Sequence, residues 1–498
     1  MAVSCGKKWL ETVPTTALLT DSALATPEGL EGAIYPVYDY PRKHLRSMTN
    51  CLYFIAGTHL IKANGLLSPD LGMALYNSSL NPTHSASKDF WNDSYKALEQ
   101  ANAIIGRADG AGFTDAKRKN TLVAQARFFR AYILFYLQQR FDRIPIVNEE
   151  FKTAENNFQP ADSATIYNQI KEDLLFAIDH LDSTNTKNGK ITKGAAQHLL
   201  AKVYLLQQQW ANAAQMALNV INSNQYSLLA DRSKLWADNS QNNEEAIYVI
   251  QFANNALDGS DGEILAPMFT PLIDRIPGVK RTFAQGGRPW ARYYPSDYLI
   301  GLFEPADKRL EADYKVNWIY DNEAALPKKI LPVGATDSIT INVGDTVKWS
   351  HVTTQNIQQY GPACKKYWEY GASRGINDAA SRKSIIRYRL GETYLIAAEA
   401  LWRDGKPDEA LANINKVRER AGAHLFTALT EDTLLDEYAR ECAFEQEDWF
   451  TLKRMGKLVS MVKQFSPDKD VTEISQEKIR IPTPQTFLDA TPGYHITN

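Results

Sequence analysis

The chain has 498 residues, 55 basic and 58 acidic side chains for a formal net charge of −3, and 11% aromatic residues. This near balance of charge argues against a nucleic-acid partner, because neutralising phosphates requires a basic excess or a concentrated basic patch. No apolar run reaches the roughly 20 residues that span a bilayer. The four cysteines and eight histidines also lack zinc-type spacing, so we expect neither a membrane-spanning helix nor a metal centre.

Residues 1–25 predict an extended tail that contains one notable cysteine. Cys5 lies in the small-residue run Ala2-Val3-Ser4-Cys5-Gly6. By itself this run favours an ordinary free cysteine in a tail over a lipid attachment site.

The next segment predicts helices separated by a loop region. Thr26-Pro27 supplies an N-cap and a first-turn proline, which predict the start of a helix. Turn formers such as Asn64-Gly65 predict loops over residues 58–88, and a helical pattern resumes at Phe90.

The strongest helical pattern covers residues 389–422, where small and apolar residues recur at three- and four-residue steps. A glycine stop at Gly405 and a proline restart at Pro407 predict two antiparallel helices, as in a tetratricopeptide repeat. A similar hairpin covers 192–221. Aligning the two hairpins with an offset of 197 residues places small side chains at equivalent positions, where they let the two helices of a hairpin approach closely: Ala201 aligns with Ala398, Ala213 with Ala410 and Val220 with Val417. Adding 121–182 and 433–463, we predict a mostly α-helical fold with about four helix pairs.

Between residues 231 and 384 the helical period fades, and short segments such as 246–252 and 338–343 alternate as strands do. Long loops on a rigid helical frame are where binding function usually lies. We predict the binding site here, formed by aromatic side chains that stack on a ligand and an arginine that donates hydrogen bonds to it. None of these residues belongs to a pattern of helical periodicity: Trp290, Arg292, Tyr293, Tyr294, Trp318 and Tyr320. The competing interpretation of each ring is packing onto the helical frame. Trp368 and Tyr370 form a weaker second cluster.

Two acidic segments invite a chemical interpretation. Glu441 and Glu445 would suffice as acid and base for glycoside hydrolysis if they flanked a cleft, but their helical spacing beside Arg454 favours structural ion pairs. Asp258-Gly259-Ser260-Asp261-Gly262-Glu263 has oxygen ligands suitable for calcium, yet fails the EF-hand spacing and favours a solvated turn. We therefore predict no catalytic residue and no cofactor.

Motifs at five places resemble those of the SusD/RagB family, the glycan-binding outer-membrane lipoproteins of Bacteroidetes. Asp142 and Thr491 stand where the family usually has glycine and asparagine, and residues 231–384 carry no motif. The first is the helix that ends at Ala101-Asn102, and the second is Arg130-Ala131-Tyr132 with the helix exit Phe141-Asp142-Arg143-Ile144-Pro145. The third is the hairpin of 389–422, and the fourth is Glu441-Cys442-Ala443-Phe444-Glu445 followed by Trp449-Phe450-Thr451-Leu452-Lys453-Arg454. The fifth is the closing segment Thr491-Pro492-Gly493-Tyr494.

The resemblance implies a cell-surface protein that captures oligosaccharides and delivers them to a SusC-like TonB-dependent outer-membrane transporter. It implies a lipid on Cys5 as the only membrane attachment. It also implies a glycan site where loops of the irregular half meet the early loops, with polar edges from Asn64, Asp70 and Tyr76. Arg292 beside the rings favours an acidic sugar, or alternatively a cation–π contact inside the protein.

The predicted organisation is a tail over 1–25 and one compact unit over 26–498. Within that unit we distinguish a helical part over 26–230, a ligand-binding insertion over 231–384 and C-terminal helices over 385–498. Two other functions stay open: a tetratricopeptide-type scaffold that binds another protein, and a glycoside hydrolase.

Overall fold

The computed structural model describes residues 21–49, 51–63, 68–141, 143–151, 157–184, 188–238, 240–252, 262–352, 358–371, 375–468, 471 and 473–494. The predicted mostly α-helical fold is confirmed. The longer helices are Pro27–Arg46, Ser68–Leu75, Ser85–Arg107, Ala116–Arg140, Ser163–His180, Lys193–Leu206, Trp210–Ile221, Leu390–Arg403, Pro407–Ala421, Glu431–Cys442, Asp448–Arg454 and Leu458–Phe465. Within the described residues, no helix combines the length and the hydropathy needed to cross a bilayer.

Local sequence explains where these helices begin and end. Thr26 caps the first helix, since its Oγ1 accepts a hydrogen bond from the N–H of Gly29 at 3.1 Å, and Pro27 fits the first turn because it has no N–H to satisfy. In the hairpin of Leu390–Arg403 and Pro407–Ala421, Gly405 has φ +76°, the left-handed conformation that glycine adopts without steric cost.

Consecutive hairpins stack into one helical frame. Trp210–Ile221 packs against both Lys193–Leu206 and Leu390–Arg403, so the stack continues directly across the loop-rich residues that separate them in sequence. The six residues paired by the 197-residue offset are all fully buried: Ala201, Ala213, Val220, Ala398, Ala410 and Val417. Small side chains at these positions let the helices approach closely, as the offset predicted.

The loop-rich part contains short helices and paired strands. The predicted strand near residue 246 is Ala246–Ile250, which pairs antiparallel with Ile385–Arg389. The ladder of most interest joins Ile61–Ala63 to Tyr293–Pro295, with Ala63 opposite Tyr293. It brings the early chain against the loop-rich part immediately beside Arg292. The other described strands are Tyr314–Lys315, Trp318–Ile319, Lys329–Ile330, Ile339–Thr340, Thr346–Val347 and Ala363–Cys364.

Candidate functional site

An open cleft of about 680 Å³ lies beside Trp290 in the loop-rich part. Its volume falls within the usual range of ligand pockets. Met48 contributes from the loop after the first helix, and all other described lining residues come from 272–292: Met48, Leu272, Asp274, Arg275, Arg281, Arg288, Pro289, Trp290 and Arg292. We call this the Trp290 cleft. It brings together two of the predicted site residues, Trp290 and Arg292.

The backbone that carries Trp290 and Arg292 is fixed by hydrogen bonds. Three successive N–H groups, of Trp290, Ala291 and Arg292, donate at 2.8–2.9 Å to carbonyl oxygens around the short helix Leu265–Met268. Ala291 is fully buried and has φ +57°, a left-handed conformation that costs an L-residue about 1–2 kcal/mol. The surrounding packing therefore over-determines this turn, and the backbone that carries both neighbouring side chains is fixed before any ligand arrives.

Trp368 supports this segment from the protein interior. Its Nε1 donates to Thr270 Oγ1 at 2.9 Å, and the carbonyl of Thr270 accepts from the N–H of Ala291 at 2.9 Å. Gly286, in the turn before the cleft residues, has φ +90°, and a Cβ there would lie 2.6 Å from Trp368 Cε2. Only glycine fits between this turn and the indole.

Arginine dominates the polar lining of the Trp290 cleft. Arg281 Nε donates to Asp274 Oδ2 at 2.7 Å and its Nη1 donates to Asn377 Oδ1 at 2.7 Å. Arg288 Nη1 donates to the carbonyl of Asn377 at 3.0 Å. Arg275 is exposed, and its side chain has no ion-pair partner among the described residues. Four arginines against one aspartate give the described lining a net charge of +3.

The structure does not bring the other predicted rings to the cleft, which corrects the expectation for four residues. Tyr293 and Tyr294 are at most 1% exposed, because the strand they form is covered on both faces. Trp318 is fully buried with its Nε1 donating to the carbonyl of Gly361 at 2.9 Å, and Tyr320 is also buried. These rings pack onto the frame, as the competing interpretation held, and we do not retain them as ligand contacts.

The early-loop residues have a similar outcome where they are described. Tyr76 is buried. Its hydroxyl donates a hydrogen bond to the carbonyl of Gly57 at 2.5 Å and accepts one from Trp449 Nε1 at 3.0 Å. It is a packing residue, which corrects its assignment as a polar edge of the site. Cys5, Asn64 and the side chain of Asp70 lie outside the described residues, so their predicted roles stay predictions.

Sequence reasoning missed Arg275, Arg281 and Arg288. Each is isolated among loop residues, and a charged loop side chain is ordinarily solvated. A signal was nevertheless present, because with Arg292 these residues place four arginines between 275 and 292 in a chain whose net charge is negative.

Both carboxylates considered for hydrolysis form ion pairs, and Glu445 pairs with Lys366 at 2.7 Å and with Arg389 at 2.6 Å. Glu441 is fully buried. Burial alone would raise its pKa, but the guanidinium groups of Arg232, Arg420, Arg389 and Arg309 outweigh burial and hold the pKa well below its usual range. A carboxylate held ionised in this way does not serve as a general acid, and the cluster joins the last helices to the loop-rich part. Of the candidate calcium turn 258–263, residues 258–261 lie outside the described residues, whereas Glu263 is fully buried and its Oε2 accepts a hydrogen bond from the N–H of Leu265 at 2.5 Å.

Two other clefts of comparable volume have different linings. One, of about 780 Å³, has Glu31, Tyr35 and Arg118 among its lining residues, and Arg118 Nε donates to Glu31 Oε1 at 2.6 Å. The other, of about 680 Å³, is lined by Tyr370 and Asp238 together with basic side chains. In both, acidic and basic side chains nearly balance among the described lining residues, and neither contains a residue of the predicted Trp290 cluster.

The stacked helical hairpins place this chain among the helical-repeat proteins. Its distinguishing feature is a large loop-rich insertion that carries an arginine-lined cleft. The model of the SusD family matches residues 151–489, and a second model, described as starch-binding and associating with the outer membrane, matches residues 9–205. Because the first match covers more than half of the chain, this chain belongs to the SusD family.

Individual relatives match this chain over more than nine tenths of its residues. SusD-like protein P25 of Formosa agariphila is 23% identical over 98% of this chain and 94% of its own. A SusD homologue of Bacteroides thetaiotaomicron has a TM-score of 0.76 at 20% identity, covering 98% of this chain and 99% of that one. A laminarin-binding SusD-like protein has a TM-score of 0.73 at 23% identity, covering 93% and 97%. At these identities the solved structures establish the shared fold.

Proposed function

We propose that this chain binds oligosaccharides noncovalently in the Trp290 cleft. The observation that carries the proposal is an indole beside several guanidinium groups, on a segment whose backbone is already fixed. The C–H faces of sugars stack on aromatic rings, and guanidinium groups donate hydrogen bonds to sugar oxygens. Because the segment needs little ordering on binding, more of the contact energy becomes affinity.

Membership of the SusD family supports a role in glycan uptake. One solved relative is a laminarin-binding protein, and one matching family model describes association with the outer membrane. In the proposed role, a lipid on Cys5 tethers the chain to the cell surface, and the bound oligosaccharide passes to a SusC-like TonB-dependent transporter. No covalent chemistry is needed, since the sugar is transferred intact.

Binding is tested with the purified chain on a glycan array, followed by calorimetry with the best oligosaccharide. Trp290→Ala is expected to weaken binding roughly tenfold or more, as truncation of a central tryptophan does in other interfaces. Trp349→Ala is the matched control, because Trp349 is 39% exposed and does not line the cleft. Equal affinity in the wild type and Trp290→Ala would reject this site.

Delivery is tested in the bacterium with the lipoprotein precursor. Wild-type protein is expected in the outer-membrane fraction and in a complex with the TonB-dependent transporter, whereas Cys5→Ala should release it from the membrane. A Cys5→Ala protein that stays in the membrane fraction would contradict lipid tethering at this residue.

Catalysis is tested by incubating the chain with the glycans that it binds and measuring new reducing ends. A binding protein produces none. Turnover would contradict the proposal, and absence of all glycan binding would favour a protein-interaction scaffold instead.

A further inference from the structure

The described side chains of the Trp290 cleft are almost entirely hydrogen-bond donors. Four guanidinium groups and the Trp290 indole donate, and the remaining lining residues Met48, Leu272 and Pro289 are apolar. Asp274 is the one carboxylate in the described lining, and its Oδ2 already accepts from both Nε and Nη2 of Arg281.

A surface of donors discriminates between classes of sugar. Each hydroxyl of a neutral sugar is both donor and acceptor, so sites for neutral sugars need carboxylate or amide oxygens as well as donors. A carboxylate or sulfate group only accepts, and guanidinium forks bind such groups through two parallel charge-assisted hydrogen bonds. The lining therefore matches the oxygens of an anion better than the hydroxyls of a neutral chain.

The charge distribution points the same way. The described lining carries +3, from four arginines and one aspartate, in a chain with a net charge of −3. Arg275 is exposed and has no ion-pair partner among the described residues, so its charge is available to a ligand. A positive cleft in a negative protein concentrates anions locally and raises their rate of association.

We infer that the ligand of this cleft is an anionic glycan. Its carboxylate or sulfate groups bind the guanidinium groups of Arg275, Arg288 and Arg292, while a sugar ring lies on Trp290. Arg281 already donates hydrogen bonds to Asp274 and Asn377, so its guanidinium group is partly engaged within the protein. This inference rests on the proposed function, because it names the substrate class of the same site.

The test is calorimetry of the full chain with three hexasaccharides: a polymannuronate, a sulfated galactan and the neutral laminarihexaose. Titrations are made at about 0.1 M and about 1 M sodium chloride, between which the screening length falls from about 10 to about 3 Å. At low salt we expect one anionic hexasaccharide to bind at least tenfold more tightly than the neutral one. At high salt this preference should largely disappear. Comparison of the two anionic probes identifies carboxylate or sulfate as the recognised group.

Variants locate the effect. Arg275→Gln is expected to weaken binding of the anionic hexasaccharide by up to about fivefold, typical of one exposed charge pair, and to weaken binding of the neutral hexasaccharide by less. Arg480→Gln changes the net charge equally at an exposed position outside the cleft and should have no effect.

The outcomes separate the two proposals. A neutral hexasaccharide bound as tightly as the anionic ones, and weakened by Trp290→Ala, would overturn the anionic inference and leave the proposed function standing. An anionic preference reduced equally by Arg275→Gln and Arg480→Gln would also overturn it. Glycan binding that is insensitive to Trp290→Ala would overturn the proposed site itself.

Discussion

Oε1 of Glu441 lies 2.5 Å from Nη1 of Arg389, and neither side chain reaches solvent. Arg389 ends the strand Ile385–Arg389, which leads out of the loop-rich part, and Glu441 lies on the helix Glu431–Cys442. The ion pair therefore fixes the point where the chain leaves the loop-rich part, and Arg232 and Arg309 of that part pair with the same carboxylate.

Glu441→Gln should strongly destabilise the protein. The substitution keeps the shape of the side chain but leaves buried guanidinium groups without their counter-charge, which typically costs about 3–5 kcal/mol. Chemical denaturation measures the loss. Glu477→Gln, at an exposed glutamate, is the matched control and should change stability by less than about 0.5 kcal/mol. Equal stabilities of the two variants would contradict the structural role of Glu441.

Trp318→Ala should impair folding and not ligand recognition specifically. Trp318 is fully buried and hydrogen-bonded, and truncation of a core tryptophan costs about 3–5 kcal/mol. Thermal and chemical denaturation should show this loss, whereas the exposed Trp349→Ala stays close to the wild type. If Trp318→Ala kept full stability and lost only glycan affinity, Trp318 would be a ligand contact after all.

Gly286→Ala should weaken glycan binding without changing any residue of the cleft. The new methyl group would collide with Trp368 at a position of positive φ, which displaces the turn before Trp290 and costs about 1–3 kcal/mol. Gly301→Ala is the control, because a Cβ there meets nothing within 4 Å. Denaturation and glycan titration of both variants separate the two effects. Unchanged affinity in Gly286→Ala would show that this turn does not position the site.

Asp448→Asn should alter how stability depends on pH. Burial raises the pKa of Asp448 to about 7, although a hydrogen bond from the N–H of Phe444 opposes the shift. A carboxyl whose pKa is higher when folded than the unfolded value of about 4 contributes stability that is complete below pH 4. That contribution is lost as pH rises through about 7.

The asparagine variant keeps an acceptor for Phe444 and cannot ionise. It should therefore match the wild type near pH 4 and exceed its stability above pH 7, by about 1.4 kcal/mol for each unit of pKa shift at most. Denaturation across this range measures the difference. A difference that is constant with pH would mean that Asp448 does not titrate in this window.

Sequence alone predicted the frame well, because helical hairpins depend on local signals. Small residues at helical spacing and the break at Gly405 and Pro407 specify each hairpin without knowledge of distant contacts. The burial of Ala201 and Ala398 followed from the same pattern.

The candidate site was only partly predictable. Tyr294 and Trp318 have the same chemistry as Trp290, and only tertiary packing decides which ring is covered. Arg275 and Arg288 are distant from Met48 in sequence, and the fold alone places them around one cleft. Composition could show a local excess of arginine but not that these side chains share a cavity.

The most direct test of the account is a crystal structure of this chain with its tightest-binding oligosaccharide. We predict a sugar ring stacked on Trp290, with ligand oxygens within hydrogen-bond distance of Arg292. Ligand density in the cleft lined by Tyr35 or in the one lined by Tyr370, with the Trp290 cleft empty, would contradict it.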